Sequence, residues 1–262
     1  MVLVTGASSG LGQACADLLH QQGHHVVGAS RRGTASSGWA PLVVDVDDDA
    51  SVAAGVASVV DAHGRIDAVV AAAGWGLAGA VEHTPIEQAI AQLQTNFWGA
   101  VRVVQQVLPT MRRQGAGRLV LVSSIGGIIG IPFQAFYSAS KFAMEGYAEA
   151  LAYEVAPFAI DVTLVEPGNF ATGFTGARVQ VAPPADDPYA VASAKAIAQM
   201  ERDEEHGAPP ADVARCVSKV LSSARPPRRV SVGPLDERMG LMGKRLLPFR
   251  LFERAAKPSL GV

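Results

Sequence analysis

Three side chains whose types and spacing suit acid–base chemistry lie in the middle of this 262-residue chain. Tyr137 and Lys141 are four residues apart in a segment with helical periodicity, so they share one face of the predicted helix. Ser124 comes thirteen residues before Tyr137, just after a predicted strand. The carboxyl ends of the strands in an α/β sheet line the ligand crevice, and this predicts that Ser124 lies beside that crevice.

These residue types fit the reduction of a carbonyl group, whose oxygen needs a proton as negative charge develops on it. A phenol has an ordinary pKa of about 10 and is a slow acid or base at neutral pH. A nearby ammonium lowers that pKa, and a serine hydroxyl can donate a hydrogen bond to the developing oxyanion. The three residue types thus suit proton transfer by Tyr137, a lowering of its pKa by Lys141 and a hydrogen bond from Ser124 to the substrate oxygen. A core tyrosine and a surface lysine are the alternative interpretation.

A glycine-rich turn follows the first predicted strand and opens the first predicted helix. Gly6 permits a tight turn, Gly10 lets backbone approach a pyrophosphate, and Gly12 allows the helix to pack closely on the strand. The helix N-terminus offers free N–H groups and a partial positive charge to phosphate, and two serines add hydroxyl donors. The turn therefore predicts a dinucleotide site, with a purely structural turn as the alternative. Its residues are Gly6, Ser8, Ser9, Gly10, Leu11 and Gly12.

With the spacing G-x-x-x-G-x-G and the Ser124, Tyr137 and Lys141 set, the chain resembles the short-chain dehydrogenase/reductase family. The stretch from Asn96 to Phe174 is most similar to the hydroxysteroid and retinol dehydrogenases of that family. The resemblance implies that Asn96 supports a water-linked proton relay and that Lys141 also holds the nicotinamide ribose. The positions expected to contact the cofactor beyond the glycine turn are Ser30, Arg31, Arg32, Asp45, Val46, Ala73, Gly74, Tyr137, Lys141, Pro167, Gly168, Phe170 and Thr172.

The end of the second predicted strand bears on the choice of cofactor. Ser30 stands where NAD enzymes usually carry an acid for the ribose hydroxyls. Arg31 and Arg32 follow it, and a guanidinium pairs well with a phosphate dianion. This favours NADP(H) over NAD(H); a solvated charged pair that tolerates NAD is the alternative. No metal site is expected, because the histidines and the two cysteines lack ligand spacing.

Short β-branched runs alternate with longer helix-period segments, which predicts one α/β domain over residues 1–262 built on a doubly wound, Rossmann-like parallel sheet. The strand runs are continuously apolar, as expected of a sheet covered on both faces. The predicted strands are Val2–Thr5, Val26–Ala29, Leu42–Val46, Ala68–Ala71, Arg118–Val122, Asp161–Val165 and Arg229–Val232. The predicted helices are Gly10–Gln22, Ser51–His63, Pro85–Arg113, Phe136–Val155 and Pro210–Ala224.

Two segments depart from this alternation. Residues 169–205 carry three prolines and leave the carboxyl end of a strand, which predicts a mobile substrate lid rather than a plain surface excursion. The tail over about 236–262 mixes basic and apolar residues and is interrupted by Pro248. Such a segment can lie on a membrane surface, but packing over the substrate site or a neighbouring subunit is the favoured interpretation.

Composition and residue pattern limit the partners, the location and the substrate class that we expect for this protein. A net charge of −2 gives no field for nucleic acid. No signal-peptide pattern and no apolar run of about 18–20 residues is present, so a cytoplasmic location is expected. The segments expected to line the pocket are apolar, which favours a hydrophobic ketone, aldehyde or alcohol as substrate. They are Trp75–Leu77, Ile125–Phe133, Phe170 and Phe174. The resemblance implies a homodimer or homotetramer. A catalytically silent NADPH sensor or scaffold is the alternative function, while a nucleotide-sugar epimerase is disfavoured by chain length.

Overall fold

A computed structural model describes residues 1–34 and 38–261, and a seven-stranded parallel sheet forms its centre. The strands of this sheet are β1 (Val2–Thr5), β2 (Val26–Ser30), β3 (Ala40–Val43), β4 (Ala68–Ala71), β6 (Gly117–Val122), β7 (Ile160–Pro167) and β9 (Arg229–Val232). Their order is β3-β2-β1-β4-β6-β7-β9, and all neighbouring pairs are parallel. The predicted doubly wound sheet is confirmed.

Helices cover both faces of the sheet, which explains why its strands read as continuous apolar runs. One hydrophobic cluster joins the sheet to α2, α4 and α5, and the other joins it to α1 and α8. The helices of eight or more residues are α1 (Gly10–Gln21), α2 (Asp49–His63), α3 (Ile86–Leu93), α4 (Gly99–Gln114), α5 (Ala135–Val155), α7 (Ala190–Glu205), α8 (Pro210–Ser222), α9 (Leu235–Leu246) and α10 (Phe249–Ala256).

The strand order reverses between β1 and β4, because the chain builds outward from β1 in one direction and from β4 in the other. Ligands of open α/β sheets bind at the carboxyl ends of the strands at such a switch point. Here the Thr5 hydroxyl ties the two strand ends together by accepting hydrogen bonds from the backbone N–H groups of Ala72 (3.2 Å) and Ala73 (3.3 Å). We therefore expect the ligand crevice directly above the glycine-rich turn.

Most predicted elements differ from the observed ones by one or two residues at an end, and two differ more. The predicted helix over Pro85–Arg113 is divided by a π-helical turn at Gln94–Trp98 into α3 and α4. The third strand lies at Ala40–Val43 rather than Leu42–Val46. It can start earlier because β3 is an edge strand. Pro41 has no N–H to donate, and an edge strand tolerates such a residue. It ends earlier because the Asp45 N–H bonds to the Ser51 hydroxyl and the Asp45 carboxylate accepts from the Asp47 N–H.

The segment predicted as a lid contains regular structure. It forms a short helix α6 (Phe174–Ala177), a strand β8 (Val179–Val181) and the sixteen-residue helix α7. Strand β8 pairs with β5 (Leu77–Gly79) in a second, two-stranded parallel sheet. Its prolines lie in the connection before α7, whose alanine-rich sequence favours a helix. The mobility of this segment stays a prediction.

The tail folds as two helices, α9 and α10, and Pro248 separates them as the residue before α10. Helix α9 packs against the 3-10 turn at Ile125–Gly127. Its Glu237 accepts hydrogen bonds from the Asn169 backbone N–H (3.0 Å) and side-chain amide (2.5 Å). The tail is therefore anchored at the carboxyl edge of the sheet, although Val262 lies outside the described residues. In the described chain, every helix is too short or too polar to span a membrane.

Candidate active site

The glycine-rich turn has the backbone geometry that its sequence predicts. Gly6 has a φ of 68°, and a Cβ there would lie 2.8 Å from the backbone of Ala73. A Cβ at Gly12 would overlap the carbonyl oxygen of Gly6, so helix α1 can approach β1 this closely only with glycine at that position. Ser9 occupies the N-cap position of α1 without a capping bond from its side chain. The first N–H groups of α1 thus face the crevice as donors for an anion.

The close approach of Gly6 to Ala73 predicts a large stability cost for Gly6→Ala. Gly23→Ala is the matched control, because Gly23 also has a positive φ (85°) but no atom within 4 Å of an added Cβ. We expect about 1–2 kcal/mol from backbone strain at Gly23 and roughly 2–5 kcal/mol at Gly6, where overlap adds to strain. Urea denaturation of both variants measures the difference. Equal losses of stability in the two variants would contradict the close approach of Gly6 to Ala73.

The predicted phosphate-binding arginines lie at the end of β2. Arg32 Nη2 donates to Ser8 Oγ at 3.0 Å, which joins the end of β2 to the glycine-rich turn. Ser30 is buried, and its hydroxyl accepts from the Gly33 N–H at 3.1 Å. Arg31 and Arg32 are both exposed. The structure thus brings the Arg32 guanidinium to the Ser8 hydroxyl of the turn, while exposed Arg31 precedes it directly after β2.

Four other predicted cofactor positions follow the carboxyl ends of β3 and β4. Val46 is buried against Gly99, where a Cβ would lie 2.8 Å from Val46 Cγ2. Asp45 is fixed by its bonds to the following turn. Ala73 is held by its backbone bond to the Thr5 hydroxyl, and a Cβ at Gly74 would lie 3.0 Å from the side-chain oxygen of Asn96. These positions therefore offer backbone groups and a carboxylate, with no amide side chain among them.

Ser124, Tyr137 and Lys141 converge at the carboxyl end of β6. Gly126 lies between the first two, since a Cβ there would be 3.3 Å from Ser124 Oγ and 3.2 Å from Tyr137 Cε1. The Lys141 ammonium lies 5.9 Å from the centroid of the Tyr137 ring and donates to the Val122 carbonyl oxygen at 2.9 Å. All three side chains are buried. The phenol, hydroxyl and ammonium therefore share one small, largely dehydrated space.

Burial controls the ionisation of this group. It raises the pKa of Tyr137 above its usual value, and the neighbouring Ser124 hydroxyl opposes the shift. It lowers the pKa of Lys141 to about 8, opposed by the Glu145 carboxylate. The pKa of Tyr137 therefore lies above its usual value in the protein without cofactor, because desolvation is the largest effect, and the effect of Lys141 on this pKa stays a prediction. A neutral phenol at neutral pH is the form that can donate a proton.

Asn96 lies inside the π-helical turn, fully buried. Its side chain accepts from the Trp75 N–H (3.0 Å) and donates to the Trp75 carbonyl (3.0 Å) and to Ser140 Oγ (3.3 Å). It therefore links the end of β4 to helix α5, which carries Tyr137. Single π turns within helices are frequent at functional sites, but the helical pattern of the sequence gives no signal for this one.

The Pro167–Thr172 segment passes over the glycine-rich turn. The Pro167 carbonyl accepts from Ser124 Oγ at 3.4 Å, and Gly168 donates its N–H to the Val232 carbonyl at 2.9 Å. Thr172 lies opposite Gly10, where a Cβ would be 3.8 Å from Thr172 Cβ. The Phe170 side chain is 5% exposed within the hydrophobic core. Its contribution to the pocket and to cofactor binding stays a prediction.

Several charged residues near the site were not predicted. The predicted pocket residue Phe174 packs edge-on against Tyr137 with 5.8 Å between ring centroids. Behind it lies a buried ion pair between Arg178 and Glu204. These two residues are 26 positions apart, and only the packing of α6 on α7 brings them together. Local sequence patterns carry no signal for such a pair.

A second buried acid lies one turn beyond Lys141. Glu145 Oε2 is 2.9 Å from Arg229 Nη1, without the geometry of a hydrogen bond, and the Glu166 carboxylate lies nearby. Burial raises the pKa of Glu145 to about 7, with a further rise from Glu166 and opposing effects from Ser123, Arg229 and Lys141. The folded protein therefore holds a proton that the unfolded chain releases above its usual pKa of 4.5.

This proton predicts a pH-dependent stability. Because the folded state binds more protons than the unfolded state between about pH 4.5 and 7, the free energy of unfolding should fall as pH rises through that window. The loss should be a few kcal/mol at most, and Glu145→Gln should remove it. Urea denaturation at pH 5 and pH 8 measures the effect. Glu149→Gln is the control, because exposed Glu149 also pairs with Arg229 (3.1 Å). If the free energy of unfolding had the same pH dependence in wild type and Glu145→Gln, the effect would not come from Glu145.

Comparisons with known proteins agree with this geometry. A model of the short chain dehydrogenase family matches residues 1–181. The chain is 41% identical over 259 residues to the 3-ketodihydrosphingosine reductase of Bacteroides thetaiotaomicron, covering 98% of this chain and 96% of the relative. It is 37% identical over 256 residues to retinol dehydrogenase 8 of Homo sapiens, covering 87% and 79%. A crystal structure of a short-chain dehydrogenase from Streptomyces avermitilis superposes with a TM-score of 0.83 at 31% identity, covering 98% and 95%.

Proposed function

This chain belongs to the short-chain dehydrogenase family, a family of oxidoreductases that act on alcohol and carbonyl groups with NAD or NADP, and from that premise we propose an NADP(H)-dependent enzyme with Tyr137 as its general acid/base. The observation that carries the proposal is the burial of Tyr137 and Ser124 around Gly126 at the carboxyl edge of the sheet, with the buried Lys141 ammonium 5.9 Å from the centroid of the Tyr137 ring. Hydride transfer to a hydrophobic ketone or aldehyde, or from a secondary alcohol, is the reaction that this group serves.

The crevice fits a dinucleotide phosphate. Gly6 and Gly12 leave spaces that a Cβ would fill, and the uncapped start of α1 faces the same crevice. When bound, the cofactor supplies the hydride through its nicotinamide. The two exposed guanidinium groups of Arg31 and Arg32 support a 2′-phosphate, and so NADP(H) over NAD(H). Lys141 would hold the nicotinamide ribose, and Thr172 would contact the carboxamide.

The protein's own residues would supply the proton. In the reducing direction, Tyr137 donates its phenolic proton to the carbonyl oxygen as charge develops there. Ser124 donates a hydrogen bond to the same oxygen and so stabilises the negative charge. The Lys141 ammonium then favours the tyrosinate that remains. Asn96, fixed to Trp75 and Ser140, would position water for reprotonation.

The substrate side of Tyr137 is largely apolar. The Phe174 ring and the half-buried side chains of Ile128, Ile129 and Ile131 support a hydrophobic substrate. The Bacteroides thetaiotaomicron relative supports a ketone, since its name gives 3-ketodihydrosphingosine as the compound reduced and the likeness extends over nearly the whole of both chains. We therefore take this ketone as the first substrate to test, with retinal as the second.

An NADPH-oxidation assay tests the proposal. Purified protein would be incubated with NADPH and 3-ketodihydrosphingosine, all-trans-retinal, a ketosteroid or a fatty aldehyde, and absorbance at the nicotinamide band would be followed. We expect at least one of these compounds to be reduced, with NADPH oxidised and alcohol formed in equal amounts. Binding of NADPH without oxidation by any of them would favour the alternative, a catalytically silent NADPH sensor or scaffold.

Assembly and location remain proposals. Exposed aromatic side chains on α5, on the 3-10 turn after it and on the π-helical turn before α4 support the pairing of subunits through these elements. These residues are Trp98, Phe142, Tyr153 and Phe158. We propose a homodimer or homotetramer in the cytoplasm, and light scattering coupled to size-exclusion chromatography measures the first of these directly.

A further inference from the structure

The buried Arg178 side chain has unfilled hydrogen-bonding capacity next to the proposed site. Its side chain is 0% exposed. Arg178 Nη2 donates to Glu204, whose other oxygen accepts from the Thr175 hydroxyl. Within the described residues, Arg178 Nε and Nη1 have no acceptor. A buried charged donor without a partner is costly, so two such donors on one side chain point to an acceptor that a ligand brings.

The Arg178 guanidinium lies on the side of the proposed catalytic tyrosine rather than at the protein surface. Its Cζ atom lies 5.7 Å from the centroid of the Phe174 ring, whose centroid is in turn 5.8 Å from that of Tyr137. Both charges of the pair act on the ionisation of Tyr137, with opposite signs. An open cleft lined in part by Thr172, Thr175 and Glu204 reaches the Glu204 carboxylate side of the pair from solvent. The pair thus lies one aromatic ring away from the reacting group.

We propose that Arg178, held by Glu204, binds a neutral oxygen of the substrate, a hydroxyl a few bonds from the carbonyl that is reduced. This rests on the proposed function. The free Nε–H and Nη1–H groups are donors, so the ligand atom must be an acceptor. Because Glu204 already neutralises Arg178, the pair carries no net charge, and a carboxylate would add an unbalanced buried charge. The substrate class is therefore a ketone with a long apolar chain and a nearby hydroxyl.

Three ketones of equal chain length test this assignment: decan-3-one, 1-hydroxydecan-3-one and 3-oxodecanoate. We expect wild-type kcat/KM with NADPH to be about 10- to 100-fold higher for the hydroxyketone than for decan-3-one, as one charge-assisted hydrogen bond provides. The double variant R178M/E204Q removes the pair without leaving a single buried charge. In it, the ratio between hydroxyketone and decan-3-one should fall to about one-tenth of the wild-type ratio or less.

The control is Q180M/E201Q. Gln180 Nε2 donates to Glu201 Oε1 at 2.7 Å and links the same two parts of the segment, but on its exposed side. This variant should keep the wild-type preference. A wild-type ratio near one, a ratio retained in R178M/E204Q, or a preference for 3-oxodecanoate would each overturn the proposal.

A separate measurement distinguishes this inference from the proposed function. Absence of NADPH oxidation with every ketone would reject the oxidoreductase proposal. Calorimetric titration of the NADP⁺-loaded protein with the same ketones would then still test the pair. Tighter binding of the hydroxyketone in wild type but not in R178M/E204Q supports the role of Arg178, and equal binding of hydroxyketone and decan-3-one by wild type overturns it.

Discussion

Tyr137→Phe should lower kcat for ketone reduction by about 10²- to 10⁴-fold, the range that a positioned proton donor contributes. The phenol is the one buried acidic group beside both Ser124 and Lys141 in the described chain. Phenylalanine keeps the ring and its edge-on packing against Phe174, so NADPH affinity and stability should change little. Steady-state NADPH oxidation and a fluorescence titration with NADPH separate the two effects.

Tyr147→Phe provides the matched control for this variant. Tyr147 lies on the same helix α5, packs edge-on against Phe97 with 5.9 Å between centroids, and has its pKa raised to about 12 by burial and Glu154. Loss of the Tyr147 hydroxyl should leave kcat near the wild-type value. Undiminished turnover in Tyr137→Phe, or an equal loss in both variants, would refute the role of Tyr137.

Arg31→Asp should invert the cofactor preference. The substitution replaces a guanidinium at the crevice rim with a carboxylate, which repels a 2′-phosphate and can accept from ribose hydroxyls. We expect kcat/KM for NADPH to fall at least about 10- to 100-fold, since a hydrogen bond to a charged group is lost, while the value for NADH changes much less. Arg32→Asp should act in the same direction, because Arg32 is linked to Ser8 of the glycine-rich turn.

Arg225→Asp is the control for charge alone. Arg225 is exposed in the loop that precedes β9, at the opposite edge of the sheet from the crevice. Its variant should leave the ratio of the NADPH and NADH constants unchanged. Equal losses of NADPH and NADH activity in Arg31→Asp would show that the arginine does not read the 2′-phosphate.

The main sheet and the residues around Tyr137 could be predicted because the sequence encodes them locally. Buried parallel strands require continuous apolar runs, and these gave most strand positions within one or two residues. The glycine-rich turn is recognisable because Gly6 and Gly12 have no room for a Cβ. Tyr137 and Lys141 share a helix face by spacing alone. Each of these features depends on a few consecutive residues.

The features that sequence did not predict depend on distant contacts. The π turn at Asn96 exists in a segment with ordinary helical periodicity, where the side chain binds the backbone of Trp75. Strands β5 and β8 have three residues each, too few for a periodic signal. The pairing of Arg178 with Glu204 requires α6 and α7 to be packed first. Nothing local distinguishes these residues from exposed ones.

A crystal structure of the protein with NADP⁺ and the alcohol product would test the central claim most directly. We predict that the alcohol oxygen lies within about 3 Å of both Tyr137 Oη and Ser124 Oγ, with its carbon about 3–3.5 Å from the nicotinamide. The pyrophosphate should lie at the start of α1, and the 2′-phosphate against Arg31 and Arg32. A nicotinamide bound away from Tyr137, with the phenol still packed among protein atoms, would contradict the assignment of this crevice as the active site.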